Sequence, residues 1–538
     1  MTKDTPPLIS QAEWRRVSWW SAFILFLASL SIIVGYLTTD NNHTFIGTVN
    51  GLDDTLSYLA KMQQGYAGSW ALHLPYTTEP HPGIFLMYLT YLSLGHLAKW
   101  VSIPVPLIYH TARILGGLLL LSTVYRFIAF VLPDPNWRWT TFLLVSVANG
   151  FGWAIMAFYP AMVSNGIRPL DLWRFEFYTF GVLLSAPHII LGLICFLTVL
   201  QNVPTYWETK SPKSLLIAAG AALGTGVTLP FLLPLYSTIL ALSWLWERRW
   251  KTGFWHTAGA TILVVGLPIP ILFYYWYSLQ HHPLWASFIG QNQTLSPSIW
   301  QYPLGYGLVG ILAIPGIRWA WHSGPRGRLV ITTVAVSLLM AYAPIQFQRR
   351  LVAGAHVPLC ILAAAGVHHW LIPRWRLRHP RSQKLVRFGI VGFSALSSIY
   401  ILAGMITVGL ERWPEFYPSS QVMAGVRWLA AETSTEANIL AALPTSRIIP
   451  AYTGRRVIWG HPMETPFMAQ RQIDIPYFFS TSASDAERVS LLNRYQIDYI
   501  FYGPDEQALG EFQPQSAPYL EPIFQNDRAT IYAVVKSP

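Results

Sequence analysis

Long apolar runs recur from residue 18 to about residue 409, and they constrain this chain more than any other feature. The first, SWWSAFILFLASLSIIVGYLT at 18–38, carries no charge. Its length is close to the roughly 20 residues that cross the hydrocarbon core of a bilayer. Only 11% of the 538 residues are charged and 53% are hydrophobic, whereas soluble domains carry about 25% charged residues. A backbone in lipid must satisfy its own amides and carbonyls, so a chain of this pattern crosses as helices. The predicted fold class is a polytopic α-helical membrane protein. The 18–38 run is longer than a signal-peptide core and lacks a small-x-small cleavage site, so it reads as a retained first span. Cys195 and Cys360 both fall within apolar runs and imply no disulfide framework.

Lys and Arg mark cytoplasmic loops. They cluster at Lys3/Arg15/Arg16, Arg126/Arg138, Lys210/Lys213, Arg248/Arg249/Lys251, Arg318/Arg326/Arg328 and in PRWRLRHPRSQK at 373–384. With all of these inside, the spans run near 18–38, 106–125, 139–160, 178–200, 214–229, 231–246, 255–277, 304–317, 329–345, 351–372 and 386–409. That makes about eleven transmembrane helices, with the N-terminus cytoplasmic and the C-terminal segment extracytoplasmic. PGIFLMYLTYLSLGHLAKWV at 82–101 is apolar enough to span, but a crossing there would invert every later loop. It is expected to be an interfacial or re-entrant helix on the outer side. The net charge of +11 is thus mostly topogenic. Nucleic acid is not an expected partner, because no basic face interleaved with aromatics appears in the outer segments.

The outer loops concentrate the ionisable residues. Loop 39–81 holds Asp53, Asp54, Lys61, Glu79 and His81, and loop 161–177, AMVSNGIRPLDLWRFEF, holds Arg168, Asp171, Arg174 and Glu176. Arg349 and Arg350 stand in FQRRLVAGAHVPL, at the outer end of a span, and His188 lies early in another. Loop 278–303 is rich in His, Gln, Asn and Trp, but His281–His282 lacks companions at metal-ligand spacing. Ionisable groups beside apolar spans are costly and usually have a partner or a function. In GLDDTLSYLAKMQQG at 51–65, Leu56, Leu59, Ala60 and Met62 fall at helical spacing, with Asp54, Tyr58 and Lys61 opposite. That pattern predicts an amphipathic helix lying on the outer membrane surface with both acids at its start.

A first span followed by an outer loop that opens with the Asp53–Asp54 pair and a juxtamembrane helix resembles the GT-C class of membrane glycosyltransferases. TEPHPGIFLMYL at 78–89 is similar to the ExP-type element of the branch that uses polyprenyl-phosphate donors, related to protein mannosyltransferases and aminoarabinose transferases. The acidic outer loop after the third span also matches in placement. The resemblance implies an integral plasma-membrane enzyme. It would transfer a sugar from a polyprenyl-phosphate carrier to a hydroxyl of a glycan, lipid or protein on the extracytoplasmic side. It implies Asp53, Asp54 and Glu79 as catalytic acids. Asp171, Glu176, Arg349, Arg350, His81 and His188 would bind substrate, with the arginines on the donor phosphate. A divalent cation, Mg or Mn, would be anchored by Asp53, Asp54 or Asp171 if one is used. The chemistry gives its own reason for these residue types. Glycosyl transfer needs a base near the attacking hydroxyl and a stabiliser for the departing phosphate, and Arg recognises phosphate through forked, charge-assisted hydrogen bonds.

Each residue has a plainer reading as well. An Asp at a helix start is a common cap. Glu79 reads equally as a solvated loop acid, and Asp171 and Glu176 as ion-pair partners of Arg168 and Arg174. Arg349–Arg350 could snorkel to headgroups, and His188 could simply be packed. The second loop lacks a DxD pair, Asp171 and Glu176 being separated by RF and two further residues. A catalytically silent lipid-carrier-binding scaffold is therefore the main alternative. A transporter is less favoured, because no mid-span charges or inverted repeats stand out.

Two domains are expected: a GT-C-like transmembrane domain over 1–410, with an outer loop at 39–105, and a small α/β domain over 411–538. In the latter, SSQVMAGVRWLAAET and SDAERVSLLNRY read as helices, and NILAALP, RRVIWG, IDYIFYG and RATIYAVV as strands. Its loops TGRR at 453–456 and GHPMET at 460–465 carry charge and His, and they read at least as readily as a structural cap as a cover for the membrane site.

Overall fold

A computed structural model describes residues 9–164, 166 and 168–535. Every predicted apolar run falls on helix. Among the described residues, six helices are long and apolar enough to cross a membrane, or up to eight if each of two bent pairs is one span. They begin with α1 (Gln11–Leu37) and, after the helices α2 (Leu52–Ala67) and α3 (Leu89–Val101), continue with α4 (Val105–Val131). The predicted runs near 214–229, 231–246 and 329–345 lie on Pro212–Thr228, Leu232–Trp246 and Pro325–Met340, of 17, 15 and 16 residues. These are shorter than a straight crossing needs. The chain is a multi-pass integral membrane protein. Helix α3 has 13 residues, too few to cross.

The chain divides into two compact units. One gathers residues up to Leu30, Arg113–Leu272 and Thr294–Met405; the other gathers Ser31–Ala112, Phe273–Gln293 and the segment from Ile406 onward. In the first unit the basic clusters are tied to one another. Arg138 pairs with Glu13 at 3.0 Å, Arg326 with Glu208 at 3.0 Å and Arg328 with Glu247 at 2.5 Å. Arg16 and Arg387 lie over the rings of Trp139 and Trp137. Loops read as sharing one membrane side thus meet at one end of the unit. Within the α4 span, buried Arg113 donates to the carbonyls of Ala28 and Leu183 and to Ser29 Oγ, which is how a guanidinium is accommodated at membrane depth.

Helices Gln301–His322 and His356–Gly366 approach through glycines. A Cβ on Gly316 would meet the Leu362 carbonyl oxygen at 1.9 Å, and one on Gly366 would meet the Leu312 carbonyl oxygen at 1.9 Å. Small residues let membrane helices pack backbone to backbone where no hydrophobic effect drives them together. Gly366→Val is therefore expected to force these helices apart, costing about 1–3 kcal/mol. Thermal unfolding in detergent reads this as a lowered midpoint; an unchanged midpoint would contradict the packing argument.

In the second unit, β1 (Ala71–Leu72) and β2 (Ile84–Phe85) pair antiparallel. A five-stranded sheet has the order β4-β3-β5-β7-β6. It comprises β3 (Asn438–Leu440), β4 (Arg456–Val457), β5 (Tyr499–Tyr502), β6 (Leu520–Gln525) and β7 (Thr530–Val534). Strand β3 pairs parallel with β4 and β5, and β7 pairs antiparallel with β5 and β6. The four predicted strands are present, as are the helices Ser420–Glu432 and Asp485–Arg494. Strand β6 escapes a sequence reading because Pro522 interrupts its pattern, and it sits where Pro is tolerated, on a sheet edge.

The expectation that α2 lies on the membrane surface is corrected here. Leu56, Leu59 and Met62 are buried in one core with Tyr91, Val426, Ile449 and Val457. Lys61, assigned to the polar face, is only 1% exposed. Within the polar stripe of α2, Lys61 meets Glu464 of the C-terminal segment instead of water, while Asp54 stays exposed.

Candidate active site

Helix α2 opens after Gly51, which sits in the left-handed region at φ 54°. Gly is the residue that adopts this conformation without strain. The N-cap is therefore Gly51, and both Asp53 and Asp54 lie in the first turn, where the helix dipole favours negative charge. The capping role considered for one of them falls to the glycine.

Each acid faces a basic group from the far end of the chain. Asp53 Oδ1 is 2.9 Å from Arg447 Nε, on the helix Leu443–Thr453. Asp54 Oδ1 is 3.4 Å from His461 Nε2, and the Asp54 side chain is 67% exposed while His461 is buried. Burial raises the Asp53 carboxyl above its ordinary value, and the charges of Arg447 and His461 only partly oppose this. For His461, burial alone would lower the pKa, but the hydrogen bond to Asp54 and the charge of Glu464 reverse it and raise it.

One helical turn further along α2, Ser57 and Lys61 meet Glu464. Lys61 Nζ lies 2.8 Å from both Glu464 oxygens and also donates to Ser57 Oγ, while Ser57 donates to Glu464 at 2.5 Å. The Lys61 ammonium also sits 4.3 Å from the ring centre of Tyr88. Burial pushes the Glu464 carboxyl up, but Lys61 and His461 outweigh it and hold the group below its ordinary value. GHPMET thus supplies two members of one charge network, His461 and Glu464, on a loop that sequence reading picked out only as a possible cover.

The remaining predicted residues of this unit are also engaged. Glu79 accepts from Arg471 Nη2 at 2.9 Å. His81 Nδ1 lies 2.8 Å from the Glu79 carbonyl oxygen, and Nε2 accepts from the Leu74 amide at 2.8 Å. That pairing fixes the neutral tautomer, with the proton on Nδ1. Burial lowers the His81 pKa further.

In the first unit, Glu176 lies 3.6 Å from Arg349. Arg350 stands over the ring of Phe231 at 4.7 Å. Arg168 and Arg174 stack on Trp173. Asp171 is buried and accepts the Gly152 amide at 3.0 Å, at the start of the helix Gly152–Phe158. Burial pushes its pKa up to about 6, against hydrogen bonds from Ser397 and the Gly152 amide. His188 is buried in the first turn of Pro187–Thr209. Asp53, Asp54, Glu79 and His81 thus belong to one unit, and Asp171, Glu176, His188, Arg349 and Arg350 to the other.

No three His, Cys, Asp or Glu side chains stand together as a metal-ligand set among the described residues. The carboxylate of Asp171 is committed to backbone amides, and Asp53 to a guanidinium. The donors of a protein-only cation cage are not assembled among them.

The His461–Asp54 pair makes a pH prediction. A histidine whose folded pKa is raised stabilises the fold fully below its ordinary value near 6.5, and that contribution is lost as pH rises through the folded value. The thermal midpoint of the parent relative to His461→Gln should therefore shrink as pH rises above about 6.5. A difference that stays constant or grows with pH would contradict the pairing.

No family model and no curated protein matches the sequence. Solved structures do. ArnT from Cupriavidus metallidurans in the apo state is 12% identical over 96% of this chain and 98% of its own, with a TM-score of 0.52. ArnT bound to undecaprenyl phosphate is similar at 0.51. The Archaeoglobus fulgidus oligosaccharyltransferase tethered to an acceptor peptide is 11% identical over 90% of this chain and 69% of its own, with a TM-score of 0.51. The arabinofuranosyltransferase AftD from Mycobacteria is 13% identical over 96% of this chain but 40% of its own, at 0.53. The fold is that of the GT-C membrane glycosyltransferases, as the sequence resemblance implied.

Proposed function

We propose that this chain is a GT-C membrane glycosyltransferase that moves a sugar from a polyprenyl-phosphate carrier to a hydroxyl acceptor, with its site on the extracytoplasmic side. The observation that carries the reading is the acid pair at the head of α2, in a chain whose fold matches ArnT end to end. In the step proposed, the acceptor oxygen attacks the anomeric carbon, the bond from that carbon to the phosphate oxygen breaks, and the hydroxyl proton passes to a carboxylate. Asp53 is assigned as that base. It is the more buried of the two, and burial makes its carboxylate more basic. Asp54 and Arg447 position it. Arg349 and Arg350 are assigned to the carrier phosphate, with Glu176 holding Arg349. The orientation rests on the positive-inside distribution of the basic loops.

A second reading has one specific observation in its favour. Asp53, Asp54 and Glu79 each already face a basic group of the chain itself, as expected of acids that only fasten α2 and its loop. A silent scaffold would look the same. Purified protein in lipid, given a panel of polyprenyl-phosphate sugars and assayed for release of the carrier phosphate, separates the two. Turnover supports the enzyme, and none across the panel supports the scaffold.

A further inference from the structure

The second unit contains a cavity of about 1250 Å³ whose lining includes His81 but not Asp53, Asp54 or Glu79. It is larger than typical small-molecule sites of roughly 300–1000 Å³. Its walls come from the rear face of α2, the 66–81 loop, the turn between α3 and α4, and the segment from Ala430 to Arg456.

The lining is unevenly charged. Lys99, Arg455 and Arg456 face a single acid, Glu436. Arg455 spends its guanidinium on the Ala430, Thr433 and Thr453 carbonyls and on the Thr433 hydroxyl, so it is part of the wall. Arg456 gives Nη2 to Glu436, at 3.0 Å, while its Nη1 makes no hydrogen bond among the described residues. The exposed Lys99 ammonium has neither ion pair nor hydrogen bond among them. The Lys99 ammonium and the Arg456 Nη1 group therefore remain as donors for an anion.

The position of this cavity narrows the class of anion. Val105 and Pro106, which line it, are the first residues of the membrane-spanning α4. The lining residues Lys99 and Ser102 flank Trp100 and Ile103, and Trp100 is 83% exposed and Ile103 41%. An exposed Trp beside a Lys at the end of a span marks the headgroup level of a bilayer.

We propose that this cavity is a binding site for the phosphate headgroup of an anionic membrane lipid, with Lys99 and Arg456 on the phosphate and the Trp100–Ile103 edge against its chains. The site is separate from the acid pair, and the inference does not depend on glycosyl transfer. Loss of one charge-assisted contact is worth about ten-fold in binding.

The test uses the full chain in nanodiscs of phosphatidylcholine with a minor share of phosphatidylglycerol, and native mass spectrometry of the lipid it retains. The parent is expected to retain phosphatidylglycerol in preference, and Lys99→Glu to lower that enrichment about ten-fold. Arg456→Gln should do the same, and Asp53→Asn should leave it unchanged. Because Lys99 is exposed and unpaired, its variant keeps the test open if Arg456→Gln disturbs the sheet edge. Equal retention of both lipids by the parent, or enrichment that survives Lys99→Glu, overturns the proposal. Displacement of phosphatidylglycerol by millimolar inorganic phosphate would overturn the lipid source, marking a site for soluble phosphate instead.

Discussion

Asp53→Asn is expected to reduce turnover of a polyprenyl-phosphate sugar by about 10²–10⁴-fold, the range typical for loss of a general base. The substitution keeps the side chain's shape, so Arg447 keeps its hydrogen bond to the Gly460 carbonyl and α2 retains its start. What disappears is a carboxylate able to take the acceptor's proton. The loss should fall on kcat more than on KM, because a base acts in the transition state and contributes little to ground-state binding. Asp54→Asn should cost less, since that carboxylate is the more exposed and faces a histidine. The parent's kcat should also fall on acidification at a pH above the ordinary Asp value of 3.8, because the folded pKa is raised and protonation removes the base. An Asp53→Asn enzyme within a few-fold of the parent would sink the assignment. A variant that loses activity together with its thermal midpoint would point to the fastening role.

Much of this architecture was legible because it follows from local pattern. Apolar runs of bilayer length become helices whatever their partners, and the strand IDYIFYG and the helix SDAERVSLLNRY signal themselves by period and by the Ser484–Glu487 capping box. The start of α2 was legible from the acid pair, but its cap was not, because a cap was expected of an Asp and Gly51 supplies it. Its surroundings were not. Lys61 read as the solvated side of a surface helix because nothing within a helical turn shows that Glu464, 403 positions away, closes over it. Arg447 and Arg471 were missed likewise, for each meets its acid only through the fold. The helix Met468–Phe479 was hidden by Pro476 in its interior, which a periodicity reading takes as a break. Asp171 is a different case. Its loop position suggested a substrate acid, yet tertiary packing turns it onto the amide of Gly152.

Lys61→Met should destabilise the folded chain by about 3–5 kcal/mol near neutral pH, the cost of leaving one member of a buried pair uncompensated. The mechanism lies in Glu464. In the parent, Lys61 and His461 hold that carboxyl below its ordinary value of 4.5 in spite of burial. A lowered carboxylate pKa adds stability above the unfolded value, and the gain is lost as pH falls through the folded one. Without the ammonium, burial dominates and the carboxyl is pushed up, so the sign of its pH dependence reverses. The Lys61→Met protein should therefore gain stability relative to the parent as pH falls toward about 5. Ser57 cannot compensate, since a hydroxyl supplies one hydrogen bond and no charge. The double variant Lys61→Met/Glu464→Leu removes both charges together and should recover most of the loss, because replacing a whole buried pair by apolar groups is often neutral. Equilibrium unfolding of the parent, both single variants and the double closes the cycle. The pair is a fastening of α2 if the coupling is large and the double variant still turns over substrate. A double variant that is stable but inactive would instead place Lys61 and Glu464 in the site itself. A Lys61→Met protein as stable as the parent at neutral pH would show that the pair does not hold α2 in place.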